Sequence, residues 1–175
     1  MNPDSALRGS HPILTCAAAG ELEQRLFAGD ETREWSAMGG AGRAVAGAVV
    51  EDFREIGGFP ATARILVLAG KGHNGGDALL AAQVLLERFP GAVADVVLVF
   101  GVRSLRPLAA QALRELVHAA PGRVQLRRGL PEGAGYDLLL DGVFGFQFRP
   151  PVAAPIAALF KRANATPIRL RAAVD

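Results

Sequence analysis

Arg64-Ile65-Leu66-Val67-Leu68-Ala69-Gly70-Lys71-Gly72-His73-Asn74-Gly75-Gly76-Asp77 joins a short apolar run to a glycine-rich segment. The apolar run, 64–69, has the length and continuous hydrophobicity of a strand buried on both faces of a parallel sheet. Gly70 to Gly76 reads as a tight loop. Asp77 to Phe89 then reads as a helix, with Leu79, Ala82, Leu86 and Phe89 on one stripe. Strand, glycine loop and helix in that order make the first half of a βαβ unit.

The flanking sequence repeats the alternation. Strands are expected at Asp95–Phe100, Val124–Leu126, Tyr136–Leu140 with Asp141 at its end, and Ile168–Val174 with Asp175 at its end. Helices are expected from Pro107, a favoured first helical residue, to Ala120, and over Val152–Ala163. Two more precede the first strand. Ala17–Phe27 carries Ala18, Leu22 and Leu26 at four-residue spacing behind Thr15 as N-cap. The other runs from Thr32 or Ser36 to Phe53 and opens on Gly39-Gly40-Ala41-Gly42, a surface that another backbone can approach closely or an irregular start. The pattern is α/β, a doubly wound and mostly parallel sheet with two N-terminal helices. In such sheets ligands collect at the carboxyl ends of the strands, where the glycine loop, Asp141 and Asp175 all fall.

Composition narrows the function. The 175 residues fit a single domain, 1–175. Nineteen Lys and Arg against 17 Asp and Glu leave a net charge of +2, with the basic residues scattered, so no nucleic-acid or anionic-membrane footprint is present. One cysteine, Cys16, rules out an internal disulfide framework and a cysteine-built zinc site. No segment reads as a targeting peptide or a membrane span. A cytoplasmic location is the simplest expectation.

Gly70, Gly72 and Gly75 stand in G-x-G-x-x-G spacing between a strand and a helix, which suits a phosphorylated ligand: glycines permit a positive-φ turn and let backbone N–H groups approach a phosphate. No Gly-Lys-Ser/Thr follows, so the loop is not a Walker A motif. A nicotinamide-dependent dehydrogenase wants an acid at the end of the next strand. Here that strand ends Val99-Phe100-Gly101-Val102-Arg103, with no carboxylate; Arg103 would meet a 2′-phosphate or lie solvated. Asp77 repels phosphate, so it serves a hydroxyl, a cation or a helix N-cap.

His73-Asn74-Gly75-Gly76-Asp77 resembles the Asn-Asn-Gly-Gly-Asp-Gly signature of the YjeF N-terminal domain, the NAD(P)H-hydrate epimerase family. Met38-Gly39-Gly40-Ala41-Gly42-Arg43 resembles its Met-Glu-Asn-Ala-Gly-Arg stretch, Asp141-Gly142-Val143-Phe144-Gly145 its Asp-x-x-Phe-Gly segment, and Val174-Asp175 the start of its Val-Asp-Ile-Pro-Ser-Gly segment. The resemblance covers most of the chain. It implies a Rossmann-like three-layer αβα sandwich, usually a homodimer, acting on hydrated NADH and NADPH, with a separate dehydratase consuming the S epimer. His73, Asn74, Gly75, Gly76 and Asp77, the loop Gly145, Phe146, Gln147, Phe148, Arg149, Pro150 and Pro151, and Asp175 would line the substrate. Asn74 and Asp141 would hold a potassium ion.

The substrate's C6 bears a hydroxyl and is bonded to the ring nitrogen, so it is a hemiaminal carbon. Loss of the hydroxyl as water leaves a planar iminium, and water returning to the opposite face inverts the centre. One carboxylate serves as acid and then base, for about 10²–10⁴-fold in rate. Asp175 is the expected catalytic group; a strand-end cap is its other reading. His73, Ala78, Gln147 and Gly39-Gly40 depart from the family pattern, and the family's Pro-Ser-Gly would follow Asp175, so the last part of the family domain is expected beyond this sequence. A non-catalytic nucleotide-binding or dimerisation module is the alternative reading, and an ordinary NAD(P) oxidoreductase a third.

Overall fold

The computed structural model describes residues 14–145 and 148–174. The chain divides after Glu34 into two compact units. In the first, helix α1 (Cys16–Phe27) starts at Thr15, whose hydroxyl accepts a hydrogen bond from the Ala18 N–H at 3.2 Å. None of its residues is buried, and Leu22 and Leu26 of the apolar stripe expected there lie exposed. Helix α2 (Glu31–Glu55) follows Asp30, whose carboxylate accepts from the N–H groups of Thr32 and Arg33.

The second unit contains the rest of α2 and a five-stranded sheet with its helices. The strands are β1 (Arg64–Ala69), β2 (Val93–Leu98), β3 (Val124–Arg127), β4 (Tyr136–Gly142) and β5 (Ile168–Ala173). They lie in the order β3-β2-β1-β4-β5, and every neighbouring pair is parallel. The mostly parallel expectation therefore becomes an all-parallel sheet. The crossovers are α3 (His73–Arg88), α4 (Pro107–Ala119) and α5 (Ala154–Ala165).

Alternation along β1 explains the layers. Ile65, Val67 and Ala69 enter one core cluster with α2, α3 and α4 residues such as Phe53, Leu79, Leu85 and Leu116. Leu66 and Leu68 enter another, against Ile156, Leu159 and Phe160 of α5. Both faces of β1 are dry, which is why its sequence is a continuous apolar run rather than an alternating one. The small residues at the start of α2 allow close approach and leave the helix regular: a Cβ on Gly42 would stand 2.7 Å from Leu80 Cβ.

One polar cluster interrupts this core. Asp95 of β2 is 7% exposed and accepts from Arg127 Nε at 2.6 Å and from the Tyr136 hydroxyl at 2.9 Å. Arg64 lies 3.6 Å from the same carboxylate and over the Tyr136 ring. Burial, aided by the hydrogen bond to Asp95, pushes the Tyr136 phenol up to about 12. Among the described residues no helix is long and apolar enough to cross a membrane.

Candidate active site

The topology reverses between β1 and β4, and Asn74, Asp141 and Gly145 lie just past or at the carboxyl ends of those two strands. After β1, Gly70, Lys71 and Gly72 turn the chain, and α3 begins at His73 rather than at Asp77. The segment His73–Asp77 is therefore the first turn of a helix. Gly72 is its N-cap residue and makes no side-chain cap bond, so Asp77 is not the N-cap.

None of Gly70, Gly72, Gly75 and Gly76 has positive φ, so they do not make a left-handed turn, and Gly70, Gly75 and Gly76 serve close packing instead. A Cβ on Gly75 would run into the Gly70 backbone, including its carbonyl oxygen. One on Gly70 would meet the Gly142 and Val143 carbonyls, and one on Gly142 would meet the Asn74 carbonyl. Gly76 seats the Met38 thioether of α2. Helix start, β1 end and β4 end are thus in backbone contact, closer than any side chain permits.

This packing aims Asn74 across the sheet. Its side-chain Nδ2 donates to the Val174 carbonyl at 2.7 Å. Gly145, three residues past β4, lies against the same amide: a Cβ there would fall 2.6 Å from Oδ1 and 2.7 Å from Nδ2. Asp141 ends on the same spot. Its main-chain carbonyl accepts from the Val174 N–H at 2.8 Å, and its carboxylate Oδ1 accepts from the Val143 N–H at 3.1 Å. Burial raises the Asp141 carboxyl above the usual carboxylate value, and the Val143 hydrogen bond pulls against that rise.

Of the expected residues, Asn74 and Asp141 share Val174 as a partner, Asn74 through its side-chain amide and Asp141 through its main-chain carbonyl, and Gly145 lies against the Asn74 amide. Gly75 and Gly76 are buried and act through packing. His73 is exposed and Asp77 half-buried in the same helical turn. Phe148 stacks on Phe144 with ring centroids 4.4 Å apart, and its N–H donates to the Gly145 carbonyl at 2.8 Å. Arg149 and Pro150-Pro151, joined by a cis peptide, are exposed. Phe146, Gln147 and Asp175 lie outside the described residues. Sequence reasoning missed Val143 and Val174, which act through main-chain atoms and leave no side-chain signal.

Among the described residues no group of three or more His, Cys, Asp or Glu side chains comes together. A groove of about 690 Å³ between α4 and β3, lined by Leu113, Val117 and Leu126 among others, contains none of the expected residues.

Comparison with known proteins bears on the same residues. The family profile described as YjeF-related protein N-terminus matches residues 36–175. The chain is 39% identical over 164 residues to the bifunctional NAD(P)H-hydrate repair enzyme Nnr of Gloeobacter violaceus, covering 93% of this chain and 30% of that protein. It is 31% identical over 115 residues to the NAD(P)H-hydrate epimerase of Paramecium tetraurelia, covering 66% of this chain and 45% of the relative. For the NAD(P)H-hydrate epimerase of Bordetella bronchiseptica the identity is 38% over 107 residues, covering 61% and 44%. The crystal structure of yeast ynu0, YNL200c, superposes with a TM-score of 0.69 at 26% identity, covering 94% of this chain and 70% of that one. The chain thus spans less than half the length of these curated relatives.

Proposed function

The chain belongs to the family of YjeF-related protein N-termini, and from that premise we propose that it is an NAD(P)H-hydrate epimerase, interconverting the R and S epimers of 6-hydroxylated NADH and NADPH. The observation that carries this reading is the meeting of Asn74 and Asp141 on Val174, with Gly145 against the Asn74 amide, at the point where strand order reverses. Relatives named for the same reaction support the substrate.

The reaction needs a carboxyl group beside C6. In this reading Asp175, the residue after Val174, gives its proton to the leaving hydroxyl, which departs as water while the ring nitrogen's lone pair forms the iminium. The same carboxylate then takes a proton from water adding to the opposite face. No bond order or redox state changes overall, and the acid is regenerated. The reading assigns the binding of the dinucleotide to His73–Asp77 and to the loop from Gly145 to Pro151.

The residues fit a potassium ion. Asn74 and Asp141 offer hard oxygen donors of the kind alkali and alkaline-earth cations take. The Asp141 carboxylate is desolvated and enters no ion pair among the described residues, so a cation there offsets the cost of its burial. When bound, the ion would supply positive charge against the carboxylate and the substrate's phosphates.

The departures from the family pattern are accommodated where the structure describes them. Ala78 is fully buried beneath Gly142, and Met38 rests on Gly76 without help from residues 39 and 40. The test is recovery of NADPH from its R-hydrate in the presence of excess S-specific dehydratase. Recovery faster than the spontaneous epimerisation supports the enzyme. A rate equal to it, with nucleotide still bound, replaces this reading with that of a binding module.

A further inference from the structure

We infer that Lys71 and Arg106 form an anion seat at the carboxyl ends of β1 and β2 that holds the phosphates of the substrate's ADP half and so sets its direction across the sheet. The inference rests on the epimerase reading for the identity of the substrate.

The segment after β2 folds back onto the glycine turn. Ser104 Oγ donates to the carbonyls of Phe100 and Gly101, both at 2.7 Å, closing the turn over Val102–Ser104. The Arg106 N–H then donates to the Lys71 carbonyl at 2.8 Å. The main chains of two cationic residues from separate crossovers are thereby joined. The Lys71 ammonium lies 5.8 Å from the centroid of the Phe100 ring, which in turn meets Phe144 edge-on at 6.1 Å. Both cations are exposed, and among the described residues neither has a carboxylate partner. No acidic residue occurs in 70–76 or in 99–106.

Gly72 is the second, independent observation. Its φ of −110° and ψ of −156° suit any residue. A Cβ there would meet only Arg106 Nη1, at 3.9 Å, an ordinary contact. Neither conformation nor packing explains this glycine, unlike Gly70, Gly75 and Gly142. What its missing side chain does is keep open the space beside the Arg106 guanidinium.

Strand order gives the direction. The carboxylate of Asp141 is at the end of β4, and β2 is two strand spacings away, roughly 10 Å. A dinucleotide with its reacting ring at the β4–β5 end runs its phosphates toward β1 and β2, down a gradient from acidic to basic side chains. Guanidinium and ammonium groups suit phosphate oxygens.

The test compares the wild type with Lys71→Gln, Arg106→Gln, their double variant and Gly72→Ala. KM and kcat are measured for the R-hydrates of NADH and NADPH. Dissociation constants for ADP and for 2′-phosphoadenosine 5′-diphosphate are measured by calorimetry without turnover. The double variant is expected to raise KM and the ADP dissociation constant about tenfold or more, with kcat within about twofold, as for interactions made equally in ground and transition states. Gly72→Ala is expected to fold normally and weaken both several-fold. A loss shared by both substrates puts the diphosphate in the seat; a loss confined to NADPH hydrate and the 2′-phosphorylated probe puts the 2′-phosphate there. KM and both probe affinities within twofold of wild type in the double variant overturn the inference. A wild type that binds ADP through these residues without epimerising either hydrate would instead overturn the proposed function and leave the seat standing.

Discussion

Gly145→Ala probes the hub of the site through a single methyl group. An added Cβ falls 2.6–2.8 Å from the Oδ1, Nδ2 and Cγ atoms of Asn74, well inside contact distance. The obstacle is a side-chain amide rather than main chain, so relief comes by turning Asn74 away. That turn breaks its 2.7 Å bond to the Val174 carbonyl. Leaving a half-buried carbonyl unpaired costs about 1–3 kcal/mol, and overpacking alone costs a similar amount. We expect a combined loss of about 2 kcal/mol, because the rotation that breaks the bond also relieves the overlap. For a chain of this size that lowers Tm by roughly 4–8 °C. A double-mutant cycle with Asn74→Ala isolates the cause. Once the amide is gone, Gly145→Ala has nothing to strike and is expected to cost less than about 0.5 kcal/mol, giving a coupling of about 1.5 kcal/mol or more. Urea unfolding of the four proteins supplies the numbers. Equal costs of Gly145→Ala in both backgrounds would refute the reasoning, since the damage would then not pass through Asn74.

Four further outcomes follow from the same geometry. Gly75→Ala, which drives a Cβ into the Gly70 backbone, is expected to cost more than about 3 kcal/mol, while Gly72→Ala stays within about 0.5 kcal/mol of wild type; thermal melts of the pair measure the contrast. Raising potassium at constant ionic strength to about 100 times its dissociation constant adds about 2.7 kcal/mol to the wild type and nothing to Asp141→Asn, read by calorimetric Tm against choline chloride. The Asp141 carboxyl is raised by burial, so in potassium-free buffer its contribution is complete below the ordinary value of 3.8 and is lost as pH rises through the folded value. The stability of Asp141→Asn relative to wild type should therefore grow over that rise in urea melts, and a flat difference would contradict it. Tyr136 is the single tyrosine, so absorbance at alkaline pH titrates it directly: ionisation near 12 is expected, with the stability it confers present below 10 and lost through 12, whereas a midpoint near 10 would show the phenol to be neither buried nor held by Asp95 in solution.

Much of the architecture was legible because β1 announces it. An apolar run that cannot alternate must be covered on both sides, and the repeated strand–helix spacing provides the covers. The start of α3 was misplaced by four residues, since Gly75-Gly76 argues against helix by propensity while tertiary packing on Gly70 and Met38 overrides it. The glycines themselves were found, but the positive-φ turn expected of them is replaced by close packing at Gly70, Gly75 and Gly76. Sequence gives the absence of a side chain and cannot say whether a dihedral angle or a neighbouring carbonyl demands it. Asp141 could be placed at a strand end because the strand was legible. Its partner Val174 could not be identified, because the bond depends on β5 lying beside β4, a fact of strand order rather than of local pattern. The Asp95, Arg127 and Tyr136 cluster was missed for the same reason: each residue looks ordinary alone, and only the sheet brings three strands' worth of them together.

The bond from Asn74 to Val174 joins residues 100 apart in the chain. Loop-closure entropy opposes so distant a contact until the intervening elements have folded. The first turn of α3 can form as soon as β1 and α3 meet, yet its amide finds an anchor only when β5 zips onto β4. The Asn74–Val174 joint should consequently be among the last contacts to return on refolding, trailing the recovery of helical signal, and the glycine-rich turn that looks so self-contained in the sequence is half of a joint completed from β5, two strands away in the sheet.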